Sequence, residues 1–316
     1  MPKSPESVPS MNSVKVSGLK KGKRYTLCSG IQMKLMLAPF LVLMIVFLVL
    51  PVLSSLALSF FEYDVIYSFK WIGLDNYVHM FFEDNVFPTA LKNTLLFAVV
   101  TGPIGFFLSF ILAWMINEYG RFTRSWLSFL FYSPALMGNA YMIWQVMFSG
   151  DAYGYVNNIL LSFGLIDSAV QWLKDPAYVL PIIMGVQLWM SMGVSFLANI
   201  AGLQNVNPEL YEAGAIDGIK NRWYELWYIT LPYMKNILLF GAVMQIAASF
   251  SVGTICMTMA GFPSVQYSAE TLVTHLMDVG TMRYEMGLAC AISAFLFMMM
   301  LAARWLIGKI MNSLGR

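Results

Sequence analysis

The chain has 316 residues, of which 59% are hydrophobic and only 11% are Asp, Glu, Lys or Arg, with a formal net charge of +2. A soluble domain of this length carries about 25% charged residues, so an ordinary water-soluble enzyme, a disordered chain and a disulfide scaffold are excluded. A mean hydropathy of +0.66, with 24 Met, 23 Phe and 9 Trp, describes an integral membrane protein.

In chain order, residues 1–34 form a polar tail rich in lysine, expected to be cytoplasmic. A membrane-spanning helix needs about 20 mostly apolar residues, and six segments meet that length: 35–58, 95–116, 126–148, 179–200, 237–259 and 286–307. The first five contain no Asp, Glu, Lys or Arg, and the sixth contains only Arg304. The first apolar run starts too late and runs too long for a cleaved signal peptide.

Placing both termini in the cytoplasm puts 15 of the 19 basic residues inside. Outside it leaves only Lys70, Lys92, Lys174 and Arg283. The asymmetry of Lys and Arg sets the orientation. Eleven of the 17 acids fall in the outer loops. The basic tail reads as a topological anchor beside anionic lipid rather than a nucleic-acid patch, for which it lacks interleaved aromatics.

Two outer loops are longer than a connection requires. Residues 59–88 carry Trp71, Tyr77, Phe81 and Phe82 and are expected to pack on the external surface. Residues 149–177 contain a stretch, 156–165, that reads as a short amphipathic helix lying in the interface. Cys28, Cys256 and Cys290 show no metal or redox spacing and read as small packing residues.

The inner loop 202–232 is too long for a simple connection. Asn207 is a good N-cap, Pro208 fits the first helical position, and Glu209 and Glu212 complement the helix dipole. The spacing predicts a helix through Ile216, stopped by Asp217-Gly218. A second helix, from about Arg222 to Ile229, repeats Trp223 with Trp227 and Tyr224 with Tyr228, and Pro232 is expected to break it before the fifth span.

The run Glu212-Ala213-Gly214-Ala215-Ile216-Asp217-Gly218, followed by Ile229-Thr230-Leu231-Pro232, resembles the EAA loop of permease subunits of binding-protein-dependent ABC importers. The usual form reads EAA, DGA, ITLP. Gly214 here replaces the second alanine, and Ile219 follows the glycine where alanine is common. With "PVLSSLALSFFEYD", "WIGLDNYVHMFFED", "ALKNTLLF", "TLVTHLMD" and "YEMGLACAIS", the resemblance covers nearly the whole chain beyond the basic tail. It points to the first permease of carbohydrate importers, related to maltose and glycerol-phosphate permeases.

That resemblance implies an all-α polytopic fold, with a transmembrane domain over 35–310 and a cytoplasmic tail over 311–316. The coupling residues would be Glu212, Ala213, Gly214, Asp217, Gly218, Leu231 and Pro232, with Glu212 facing a basic residue of an ATPase and Gly218 allowing the tight turn. The partners would be a second permease of different sequence, two cytoplasmic ATPase subunits that bind ATP and Mg, and an extracytoplasmic binding protein.

The chain has no nucleotide-binding GxxxxGK[ST]; the stretch from Gly18 to Lys23 has the wrong spacing. No HExxH or GxSxG occurs, no metal ligand set is expected, and His79 and His275 fall in outer regions. A sugar pathway needs uncharged polar and aromatic groups at membrane depth. Asn139, Tyr141, Trp144, Gln145, Gln187, Trp189, Ser191, Gln245, Ser249, Ser251 and Thr254 qualify. Placed against the family pattern, Gln187, Ser191, Gln245 and Ser249 are favoured, although hydrogen bonding between helices is the competing role for each. Gly102, Gly105, Gly185 and Gly193 read as close-packing positions. A self-sufficient secondary transporter for an uncharged solute is the alternative, disfavoured by the absence of ionisable groups within the spans.

Overall fold

The computed structural model describes residues 30–64 and 68–314; the basic tail with Cys28, and the last two residues, lie outside the described residues. The chain divides into two units, residues 1–52 and 53–316. The first unit contains most of helix α1 (Lys34–Leu58), whose apolar run is interrupted by no charge.

In the second unit, strands β1 (Phe61–Asp64) and β2 (Ser68–Trp71) pair antiparallel, with Phe61 opposite Trp71 and Glu62 opposite Lys70. Phe61 stacks on Phe69 with ring centroids 4.7 Å apart and meets Trp71 edge-on at 5.0 Å. Such cross-strand aromatic pairs stabilise a hairpin. The expectation of a packed outer loop is met by a hairpin that the all-helical reading did not contain. Tyr77 bonds Ser59 and Phe81 meets Phe87 and Phe295, whereas Trp71 and Phe82 stay exposed.

Helix α2 (Phe87–Asn117) organises the second unit. One of its faces buries Thr94, Ala98, Thr101, Gly102, Gly105, Ser109 and Ala113. These small side chains recur at helical spacing and let neighbouring backbones approach closely, as in other membrane bundles. The same helix feeds all three apolar clusters. It supplies Phe87 and Ala90 to one, Phe97 to the second, and Phe110, Ala113 and Ile116 to the third.

The chain continues through α3 (Arg121–Leu136), α4 (Met142–Met147), α5 (Tyr155–Ser162), α6 (Val179–Met190), α7 (Val194–Gln204), α8 (Pro208–Ile216), α9 (Arg222–Tyr233), α10 (Lys235–Phe250), α11 (Thr254–Ala260), α12 (Leu272–Met277) and α13 (Met286–Leu314). Helix α5 stands where the amphipathic stretch was expected. Its loop is stapled by the buried Asn157, which donates to the carbonyls of Ser149, Asp151 and Val170 and accepts from Trp172 Nε1 at 2.8 Å.

Among the described residues, four helical runs are long and apolar enough to cross a membrane: Lys34–Leu58, Phe87–Asn117, Val179–Gln204 and Met286–Ile310. A fifth is reached if α9 and α10, bent by 82°, are taken together. Six apolar spans were expected, and the difference lies in the third and fifth, which do not form a single run of that length; the fourth does, although it is interrupted at 191–193. The third stops at Leu136, beyond Pro134, where Gly138 takes a left-handed φ of +62°, and resumes only at α4. The fifth ends at Phe250 and resumes at Thr254, after Gly253. Hydropathy sums over such breaks because the flanking residues are apolar on both sides.

Candidate functional site

The loop between α7 and α10 folds as a helix, a turn and a helix. The Asn207 side chain accepts the Glu209 N–H at 3.1 Å, capping α8. At its other end Gly218 adopts φ +92°. The Gly218 N–H bonds the Ala215 carbonyl and the Ile219 N–H bonds the Gly214 carbonyl at 2.9 Å, a two-bond glycine stop. A side chain at Gly218 would strain that left-handed turn.

Gly214 is buried, and a Cβ there would stand 2.7 Å from Ile229 Cδ1. The departure from alanine at this position therefore lets α8 lie directly on the second helix. Tyr211 Oη adds a 2.9 Å hydrogen bond to Thr230 Oγ1. The opposite face of α8, with Glu212, Ala213, Ala215, Ile216 and Asp217, is exposed, and Ile216 is 87% exposed. Glu212 makes no hydrogen bond or ion pair among the described residues.

Pro232 does not end the second helix. Residues Leu226–Thr230 form a wide π turn, and the helix runs through Leu231 and Pro232 to Tyr233. Such a turn absorbs the hydrogen bond that proline cannot donate. The corner comes at Met234, fully buried, where a Cβ on Gly202 would meet its Cε at 2.7 Å.

Two contacts tie this loop to α2, and the sequence reading singled out neither for function. Arg222 bridges Glu118, the residue capping α2, at 2.9 Å and Glu225 at 2.8 Å. Trp223 meets Trp114 with ring centroids 5.1 Å apart. The hydrogen bond that Arg222 donates to Glu225, together with both carboxylate charges, raises the Arg222 pKa despite partial burial.

Three of the membrane-depth candidates come together. Gln245, Ser249 and Ser191 are buried against α2. Ser249 Oγ donates to the Gln245 carbonyl and accepts from Thr101 at 3.1 Å. A Cβ on Gly105 would collide with the Gln245 amide and lie 3.2 Å from Ser191 Oγ, while one on Gly102 would press on Ile246 at 3.2 Å. Those two glycines permit close packing; Gly185 has nothing within 4 Å and Gly193 only an ordinary contact.

The other candidates lie apart from that cluster. Gln187 and Trp189 are half-buried, and Trp189 meets Trp144 edge-on at 5.6 Å. Asn139 is exposed and accepts from Tyr141 Oη at 3.0 Å. Gln145 donates to the Thr258 carbonyl at 3.0 Å at the edge of an open cavity of about 520 Å³. Ser251 and Thr254 are exposed at the break between α10 and α11.

At the N-terminal end of α2 the structure holds a buried charged contact that sequence reading missed. His275 Nε2 lies 2.6 Å from Asp84 Oδ2, the two side chains being 1% and 7% exposed. Asp84 also accepts the N–H groups of Val86 and Phe87 at 2.8 and 3.2 Å. Burial pulls its carboxyl upward, but the His275 hydrogen bond and charge and the two backbone N–H groups outweigh it and lower the pKa to about 2. The only signal was two titratable residues in outer regions, 191 positions apart.

No protein-family model matches the chain. Over 221 residues it is 33% identical to the probable ABC transporter permease protein YesP of Bacillus subtilis (strain 168), covering 69% of this chain and 70% of that protein. It is 35% identical to the lactose transport system permease protein LacF of Rhizobium radiobacter, covering 66% and 69% of the two chains. Against the arabinooligosaccharides transport system permease protein AraP of B. subtilis it is 29% identical over 87% of each. Among solved structures it is similar to a chain of a bacterial ABC transporter involved in import of the acidic polysaccharide alginate. That match has a TM-score of 0.74 and 25% identity, over 90% of this chain and 96% of the other. A second match of the same score is to the alginate transporter in complex with its alginate pentasaccharide-bound periplasmic protein.

Proposed function

This chain belongs to the permease subunits of ABC transporters, and on that premise we propose how its parts carry out sugar import. The chain lines one side of a membrane pathway, completed by a second permease of different sequence, for a sugar or oligosaccharide handed over by an extracytoplasmic binding protein. ATP is hydrolysed on two partner subunits, which also hold Mg; this chain supplies no nucleotide site. The transmembrane domain is residues 35–310, between a basic tail over 1–34 and a tail over 311–316.

The bias of lysine and arginine supports an orientation with both termini and the 202–232 loop in the cytoplasm. The observation that carries the reading is the free face of α8. A helix bound to its own chain along Tyr211 and Gly214 presents Glu212, Ala213 and Ala215 outward, beside the turn at Asp217-Gly218. A small-residue surface with one carboxylate fits a groove that offers a basic side chain. Leu231 and Pro232 lie in the last turn of the second helix.

Closure of the ATPase pair on ATP drives α8 with it, the spans open outward to receive the sugar, and hydrolysis resets them. Gln187, Trp189, Ser191, Gln245, Ser249, Asn139 and Gln145 offer the hydroxyl partners and aromatic faces along the route.

Glu212→Lys is expected to lower ATP-driven sugar uptake in proteoliposomes by about tenfold or more, because a buried interfacial charge pair becomes a repulsion. Binding of the loaded binding protein should be unchanged. Uptake at the unsubstituted rate, or sugar transport by this chain alone without ATP, overturns the reading.

A further inference from the structure

Helix α8 touches the rest of the chain mainly through α9, so its motion must leave the loop by way of that helix. From consecutive positions at the start of α9, Arg222 reaches Glu118 at 2.9 Å and Trp223 meets Trp114 at 5.1 Å. Trp114 and Glu118 are four residues apart in and just past α2 and so lie on one helix face. Glu225, three residues on, holds the other guanidinium nitrogen at 2.8 Å and aims the fork. Beside these contacts lies a cavity of about 220 Å³ between the loop and the end of α2. The apolar packing of Leu226 beneath is non-directional, and the two polar and aromatic contacts fix the lateral position of the loop on the helix.

We propose that Arg222 and Trp223 form a two-point grip that hands the displacement of α8 to α2, and that Arg222 is a positioning residue for transport, acting through Glu118. The path is continuous in the structure. It runs from α8 through Gly214 on Ile229 and Tyr211 on Thr230 to α9, across the grip to α2, and along α2 to Gly105 against Gln245 and Ser191. Trp114 and the capping Glu118 mark the end of α2 nearest the loop, and the helix passes every apolar cluster of the second unit on its way to Phe87.

Both side chains of the ion pair are substantially exposed, Arg222 at 62% and Glu118 at 42%. An exposed pair contributes little to stability, so a merely structural role predicts almost no consequence of removing it. A grip predicts a specific one: ATP continues to be hydrolysed, and less sugar moves per ATP.

The proposal rests on α8 being the ATPase docking helix, and the test separates the two. The complete importer is reconstituted with its binding protein, and sugar uptake and phosphate release are measured together. Arg222→Gln is expected to lower sugar moved per ATP by about fivefold, with the ATPase subunits still retained on purification and Arg222→Lys recovering part of the loss. Glu118→Gln should do the same, and the double variant should be no worse than either single one, since both remove one interaction. An unchanged ratio in Arg222→Gln, additive losses in the double variant, or loss of the ATPase subunits from the complex overturns the grip. Glu212→Lys, assayed alongside, reports on docking alone: if it uncouples while Arg222→Gln does not, the grip fails and the docking reading stands.

Discussion

Replacing His275 with Leu is expected to cost about 3 kcal/mol of stability, because it leaves the Asp84 carboxylate buried without its cationic or donating partner. The figure falls at the low end for a broken buried pair because the N–H groups of Val86 and Phe87 still reach the carboxylate. The loss is felt at the start of α2, where Phe87 packs in the cluster with Leu272, three residues before His275. His275→Gln, which keeps a donor of similar reach, should recover part of it. Thermal unfolding of the purified importer in detergent checks both, with an expected fall in Tm of about 6 °C or more for the Leu variant. An unchanged Tm would mean that the pair carries no net stability.

The pH dependence has a definite sign. The folded-state pKa of Asp84 is lowered from 3.8 to about 2. A depressed carboxyl stabilises the fold above its unfolded value, and that contribution is lost as pH falls through the folded value. The unsubstituted protein should therefore hold this contribution at pH 4 and above and lose it progressively toward pH 2. In His275→Leu the carboxyl loses the strongest of the groups that lower its pKa, so the folded value moves back toward the unfolded one and the acid-dependent loss between pH 4 and pH 2 should shrink.

The second large effect is expected at Gly287→Ala. Gly287 sits in the first turn of α13 against β1, and a Cβ there would collide with the Phe61 carbonyl oxygen and stand 3.1 Å from both Asn76 Nδ2 and the Tyr63 nitrogen. Two of these are backbone atoms, so no side-chain rotation relieves the collision. Alanine is favoured over glycine in a helix by up to about 1 kcal/mol, but overpacking against a fixed backbone costs about 1–3 kcal/mol or more, and the second term wins. The hairpin must move off α13, breaking the Asn76 bonds to the Ser59 and Phe61 carbonyls and the bridge between Asp64 and Glu285. Limited proteolysis should cut the 61–71 segment faster in the variant, and the Tm should fall. A rise in Tm would show that helix propensity outweighs the contact.

The fold of the 202–232 loop was legible in the sequence because its determinants are local. The Asn207 cap, Pro208 at the first turn and the Gly218 stop act within a few residues, and each stands in the structure where its residue type requires. Pro232 misled because its effect depends on the preceding turn: in an ordinary α-helix it would break the ladder, but the π turn at Leu226–Thr230 accommodates it. The third and fifth spans misled because hydropathy does not register a left-handed Gly138 or a break at Gly253.

By itself the sequence determined that this is a polytopic membrane protein with a helix–turn–helix loop over 202–232, since composition, apolar length and capping signals each reflect solvent and short-range geometry, and the Glu212–Pro232 run carried the resemblance to ABC importer permeases. Only the tertiary structure decided which distant residues meet: Asp84 with His275, Glu118 with Arg222, Gly105 with Gln245, and Gly287 with Phe61. Those pairs lie from 104 to 226 positions apart, and no periodicity relates them. Packing chooses them, because a buried charge must find its partner and a glycine is needed only where another backbone or side chain arrives.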